Sequence, residues 1–251
     1  MWKTKFVLWI FLAFLLGSLE VSGQGLPSVT VSMGGATSPE KMSTTLQILL
    51  MITILSLAPA ILITMTSFTR FMIVFSLLRQ AMGVQNIPPN QVLVGLALFM
   101  SFIVMAPTLK QINEKALQPY LKNEILQEDA LKAAVDPIRK FMLSHTREKD
   151  LALFISLSKE KKPETAQQIE TASLIPSFII SELKTAFQIG FMVYIPFLVI
   201  DIVVASILLA MGMMVLPPVI ISLPFKLMLF VLVDGWSLIV GSLVKSFEVI
   251  Q

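Results

Sequence analysis

Three ionisable residues stand where water should be scarce. Asp201, Lys226 and Asp234 interrupt two long apolar runs, Leu174 to Leu216 and Val219 to Phe247. Each costs roughly 2.5–3.5 kcal/mol at a lipid-facing helix centre, so all three should face protein or a water-filled path. Carboxylates in such a place can relay protons or ions, or they can act as structural partners. Structural pairing is favoured here, because no track of Ser, Thr, Asn or His leads to the two acids. The runs meet at Pro217-Pro218, which reads as a helical hairpin with almost no loop. Measured from that bend, Asp201 and Asp234 both lie about 24 Å deep and Lys226 about half as deep. Lys226 is then too far from Asp234 for an easy contact, and partners in another subunit or protein are expected. Glu182 and Lys184 fall level with Lys245 and Glu248, suggesting pairs across the hairpin.

The stretch LAMGMMVLPP, residues 209–218, closes the first of these runs. Met211, Met213 and Met214 surround Gly212, with Val215 following and Pro217 and Pro218 ending the helix. Methionine is unbranched and polarizable, so it fits irregular partners. Glycine permits a backbone bend and proline stops a helix. The residues alone fit a methionine-rich helix end packed in a core, or an adaptable apolar constriction.

Covalent chemistry has little to work with. The chain has no cysteine and one histidine, His145, so thiolate chemistry and histidine-based metal clusters or triads fall away. No HExxH, GxSxG or GxxxxGK[ST] pattern occurs, and no cofactor or metal is expected. The net charge of +3 is small and no basic run points to nucleic acid.

The elements that would carry these residues follow from composition. Apolar residues make up 55% of the 251 and charged residues 14%. Of the 35 Asp, Glu, Lys and Arg, 21 fall between Lys110 and Glu170, so apolar spans must flank one water-exposed segment. Residues 1–23 read as a signal peptide, with Lys3 and Lys5 before an apolar core. Residues 24–45 read as a loose polar tail. A first helical hairpin region, 46–109, holds spans at 46–66 and 92–109. Between them SFTRFMIVFSLLRQAMG puts Phe71, Val74, Phe75 and Leu78 on one helical face, with Arg70 and Arg79 as its polar points. Residues 110–173 suggest short amphipathic helices in water on the extracytoplasmic (periplasmic) side, and 174–251 form the second hairpin with the Met-rich turn. With the segment after the signal peptide outside, Arg70 and Arg79 mark an inside loop.

Residues 177–191, SFIISELKTAFQIGF, resemble the signature of the FliP/SctR family of type III secretion export-gate proteins. TSFTRFMIVFSLLRQAMG (66–83) and NIPPNQVLVGLALFM (86–100) are similar to its other hallmark block, and LPFKLMLFVLVDGWSLIVGSL (223–243) to its C-terminal block. The resemblance covers roughly residues 45–251, and the SFTR…LLRQAMG and DGW patterns look like the flagellar branch. It implies an all-α fold of membrane-associated helical hairpins that assembles into a helical oligomeric cone. It also implies a homo-oligomer, a pentamer, in the bacterial inner (cell) membrane at the flagellar basal body. FliQ and FliR would be the direct partners, with FlhA and FlhB nearby and membrane lipid around. Unfolded flagellar export substrates would pass along the axis, and no covalent reaction would be catalysed. The family's methionine gasket falls on Met213, Met214 and Val215, with Val215 departing from methionine and Met211 earlier. Two other classes are weighed: a stand-alone secondary transporter or ion channel, and a pore-free scaffold. No convincing repeat relates the two halves, as a lone transporter would show.

Overall fold

A computed structural model describes residues 49, 52–53, 55–57, 59–84, 86–158, 165, 168–213 and 215–248. The expected signal peptide (1–23), the expected tail (24–45) and Met214 lie outside the described residues. Met1–Leu55 and Ser56–Gln251 form separate units, and every contact below lies within the second.

Every regular element among the described residues is a helix, with no strand. A short helix α1, Pro59–Met65, bends by 79° into α2, Phe68–Ala81. The break is held locally: the Thr66 hydroxyl accepts from the Phe68 amide at 3.3 Å and donates to the Leu62 carbonyl. In α2, Phe68, Phe71, Val74, Phe75 and Leu78 recur at helical spacing, and all are buried. A helix apolar on this scale becomes the hub of the molecule. Its Phe71, Val74 and Phe75 join the main core with Leu93, Ala97, Phe178 and Phe247. Gly83, at φ +77, ends it in the left-handed conformation glycine tolerates best.

Next comes α3, Asn90–Ile112, which runs through a π-turn, Asn113–Leu117, into α4, Gln118–Leu121. Then α5, Gln127–His145, and α6, Glu148–Ser158, form the polar part. Glu128 and Asp129 begin α5 and His145 ends it, each matching the helix dipole. One face of α5 buries Pro137, Phe141, Met142 and His145.

The longest element is α7, Thr171–Ala210. Forty residues span about 60 Å, twice a ~30 Å hydrocarbon layer. Ser173, Ser177 and Ser181 line one buried edge near its start. At Gly190 the helix presses on α2 so closely that a Cβ would collide with the Leu77 side chain. After α7 come α8, Pro218–Leu232, and α9, Gly235–Glu248, bent by 64° from each other.

Among the described residues two helices, Asn90–Leu121 and Thr171–Ala210, are long and apolar enough to cross a membrane, or up to four if each bent pair counts as one span. The expected single helix through Val219–Phe247 is two, because Val233 and Asp234 form a turn. Asp234 takes φ +50, which aspartate tolerates, while its carbonyl accepts the Leu238 amide and starts α9. The expected near-absence of a loop at the hairpin is also corrected. Helix α7 stops at Ala210, and residues 211–213 and 215–217 are non-helical. Its end is closed by the Gly212 amide on the Leu209 carbonyl at 3.0 Å and the Met213 amide on Leu208 at 2.9 Å, with Gly212 at φ +73. That is a Schellman cap, and it satisfies the Leu208 and Leu209 carbonyls without help from any other element.

Candidate functional site

Two buried charge clusters hold α2 at its ends. At the first, Arg70 and Glu182 are each 1% exposed and form a two-pronged ion pair. Arg70 Nε donates to Oε2 at 2.7 Å and Nη2 to Oε1 at 2.5 Å. The remaining Nη1 donates to the Ser246 hydroxyl at 2.9 Å and the Ser246 carbonyl at 3.3 Å. The Phe247 ring lies 3.6 Å from the guanidinium carbon, adding a cation–π contact. One arginine thus ties α2, α7 and the end of α9 together, and each of its three nitrogens has an acceptor. His145 completes the seat of α9: its Nδ1 lies 2.8 Å from the Phe141 carbonyl and its Nε2 3.4 Å from that of Phe247.

This corrects two expectations. Arg70 is not a free positive charge in an inside loop; its counter-charge lies 112 residues away, where hydropathy cannot see it. Glu182 does lie level with the end of α9, but it pairs with Arg70 rather than Lys245. Lys184 is exposed, with no ion pair among the described residues.

At the other end, Lys226 Nζ lies 2.5 Å from Asp201 Oδ2 and donates to the Ala81 carbonyl at 3.1 Å. The Ser222 hydroxyl meets Asp201 Oδ1 at 2.5 Å. Lys226 is 3% exposed and Asp201 24%. A cation set on the last carbonyl of α2 also complements the dipole there. The expectation that Lys226 and Asp201 find partners in another chain is therefore corrected: they pair across one hairpin. The depth argument failed because it counted from Pro217. Counted from the helix ends, Asp201 is nine residues before Ala210 and Lys226 eight after Pro218, so both lie about 12–13 Å deep. Asp234 is exposed at the turn after α8, about 12 Å beyond Lys226, so the two acids do not share a level.

Arg79 is half-buried and holds the turn before α3, donating to the Asn90 side chain at 2.6 Å and the Pro88 carbonyl at 3.3 Å. Among the described residues, no group of three or more His, Asp or Glu could hold a metal.

The methionine turn is the opposite kind of place. Met211, Met213, Val215 and Leu216 are all exposed, Val215 at 94%. A Cβ on Gly212 would meet nothing within 4 Å. The tip is apolar and yet makes no core with its own chain. Sequence reasoning found this tip and most of the buried charges. It missed Ser246, Phe247, Ser222 and His145 as anchors, since nothing in their spacing reveals which arginine, aspartate or carbonyl they meet.

Comparison with known proteins agrees with this architecture. The model of the FliP family matches residues 50–243. The flagellar biosynthetic protein FliP of Bacillus subtilis (strain 168) is 56% identical over 217 residues, 86% of this chain and 98% of that one. The protein of the same name from Pectobacterium carotovorum is 48% identical over 243 residues, covering 97% of this chain and 93% of its own. That of Aquifex aeolicus is 51% identical over 205 residues, 81% and 86% of the two chains. With a match running from before α1 into α9, the chain belongs to the FliP family.

Proposed function

We infer that this protein is a core subunit of the flagellar protein export gate in the bacterial inner membrane. Copies of it, a pentamer, join FliQ and FliR around an axis through which unfolded flagellar subunits leave the cell, with FlhA and FlhB close by. The reading rests on its relatives, which are flagellar biosynthetic proteins, and on one observation above all: an apolar tip at the end of the α7–α8 hairpin that its own chain leaves uncovered. Several such tips meeting at an axis would cover one another. Met211, Met213, Met214 and Val215 would then close the narrowest point. Thioether side chains adapt to a polypeptide of any sequence, and an apolar constriction excludes ions by dewetting when empty. The role needs no covalent chemistry and no cofactor.

Replacing Met213 and Met214 with alanine together should leave assembly intact while small ions and solutes leak across the inner membrane. A double variant that exports normally and keeps the membrane tight would overturn the gasket. Native mass spectrometry of the purified complex separates the gate, a pentamer with other small apolar subunits, from a lone transporter.

A further inference from the structure

The thioethers of this chain are not equally open to attack. Met82, Met100, Met105 and Met142 are buried, none more than 7% exposed. Met211 is 65% exposed and Met213 38%. These two flank Gly212 past the end of α7, where a Cβ on the glycine would meet nothing within 4 Å. Met214 follows with the same side chain. Met192 and Met228 are exposed too, but they stand along the faces of α7 and α8.

In a chain without cysteine, methionine sulfur is the atom a mild two-electron oxidant attacks first. Hydrogen peroxide is uncharged and little larger than water. A sulfur lone pair attacks one peroxide oxygen, and the S–O bond forms as the O–O bond breaks. The proton on the transferred oxygen passes to the departing hydroxide, which leaves as water. Sulfur gives up two electrons, peroxide takes them, and an apolar side chain becomes a polar sulfoxide.

Where this happens decides what it does. At Met142 a sulfoxide would be forced into the main core. At the tip it disturbs no core, because neither Met211 nor Met213 belongs to a buried cluster. The cap there is made by the main chain, Gly212 amide to Leu209 carbonyl and Met213 amide to Leu208 carbonyl, so a new side-chain oxygen leaves it alone. The tip can therefore be oxidised and reduced again without unfolding, which a reversible modification requires.

We propose that Met211 and Met213 form a reversible oxidation site at which peroxide converts the closed apolar constriction into a wettable one. The second half rests on the gasket reading given above. A constriction that shuts by dewetting depends on apolar walls, and a sulfoxide oxygen holds water where the thioether did not. Each copy of the chain adds its own pair of such oxygens.

The test uses the purified membrane complex in vesicles loaded with potassium. Hydrogen peroxide should place sulfoxide on Met211 and Met213 before any appears on Met82 or Met142, read by peptide mass spectrometry. The thermal midpoint should not move, and potassium should begin to escape. The two epimer-specific methionine sulfoxide reductases should close the vesicles again. A variant with Met211→Leu, Met213→Leu and Met214→Leu should stay tight in peroxide, whereas Met192→Leu with Met228→Leu should leak as the parent does. Oxidation of Met82 or Met142 as readily as the tip would overturn the proposal, and so would a peroxide leak that survives the triple leucine variant. Tight vesicles with an oxidised tip would also overturn it. In that last case the Met213, Met214 alanine variant tells the two readings apart: if it leaks, the gasket stands and only the oxidation site falls, and if it stays tight, both fall.

Discussion

Arg70 shows how much one side chain can be asked to hold. Its guanidinium meets a carboxylate from α7, a hydroxyl and a carbonyl from α9, and the face of Phe247, all away from water. Removing one member of such a pair leaves the other charge buried alone, which costs about 3–5 kcal/mol. Arg70→Ala should therefore lower the thermal midpoint of the purified chain sharply and loosen α9, measurable as faster amide exchange near Ser246. Arg70→Met combined with Glu182→Leu should recover much of the loss, because an apolar pair of similar size removes the stranded charge. A double variant no better than Arg70→Ala would show that the hydrogen bonds to Ser246, not the ion pair, hold the end of α9. None of these partners was legible beforehand. Arg70 and Glu182 could each be recognised as charges out of place, but their meeting depends on how two helices cross.

At the scale of elements the sequence was more readable, and its failures are instructive. The 3.6-residue recurrence of Phe71, Val74, Phe75 and Leu78 announced α2 and its buried face. The apolar run at 174–216 announced α7 but overstated it by several residues. Met211 to Leu216 are nearly as oily as a helix interior, yet Gly212 turns the chain among them. Hydropathy does not register a left-handed glycine, and the misplaced helix end separated Asp201 from Lys226 in the depth count. The break at Asp234 was missed for a related reason: one aspartate within an apolar run gives no warning of a turn. Gly212→Ala tests the first point. An alanine at φ +73 costs about 1–2 kcal/mol, so the cap should fray and amide exchange at Met211 and Met213 should quicken while the core around Phe71 keeps its protection. Loss of protection throughout would mean that the turn and the core unfold as one.

At the largest scale, α7 is longer than a hydrocarbon layer is thick. An upright α7 of about 60 Å is twice as long as ~30 Å of hydrocarbon, and exposed Lys184 lies in the half nearer its start. Together with α5 and α6 this makes one end of the described structure polar and the other apolar. The absence of cysteine makes the arrangement easy to check. In intact cells a membrane-impermeant maleimide should label Leu131→Cys, exposed on α5, from the extracytoplasmic side, and should reach Ile87→Cys only after permeabilisation. The reverse labelling would invert the proposed orientation. The self-sealed end of α7 carries a last implication. Folding of this chain places almost no demand on the identity of residue 215, since Val215 rests on nothing. Whatever preference that position displays must come from beyond this chain's own packing, so exchanges there test the proposed gasket with stability left out of the experiment.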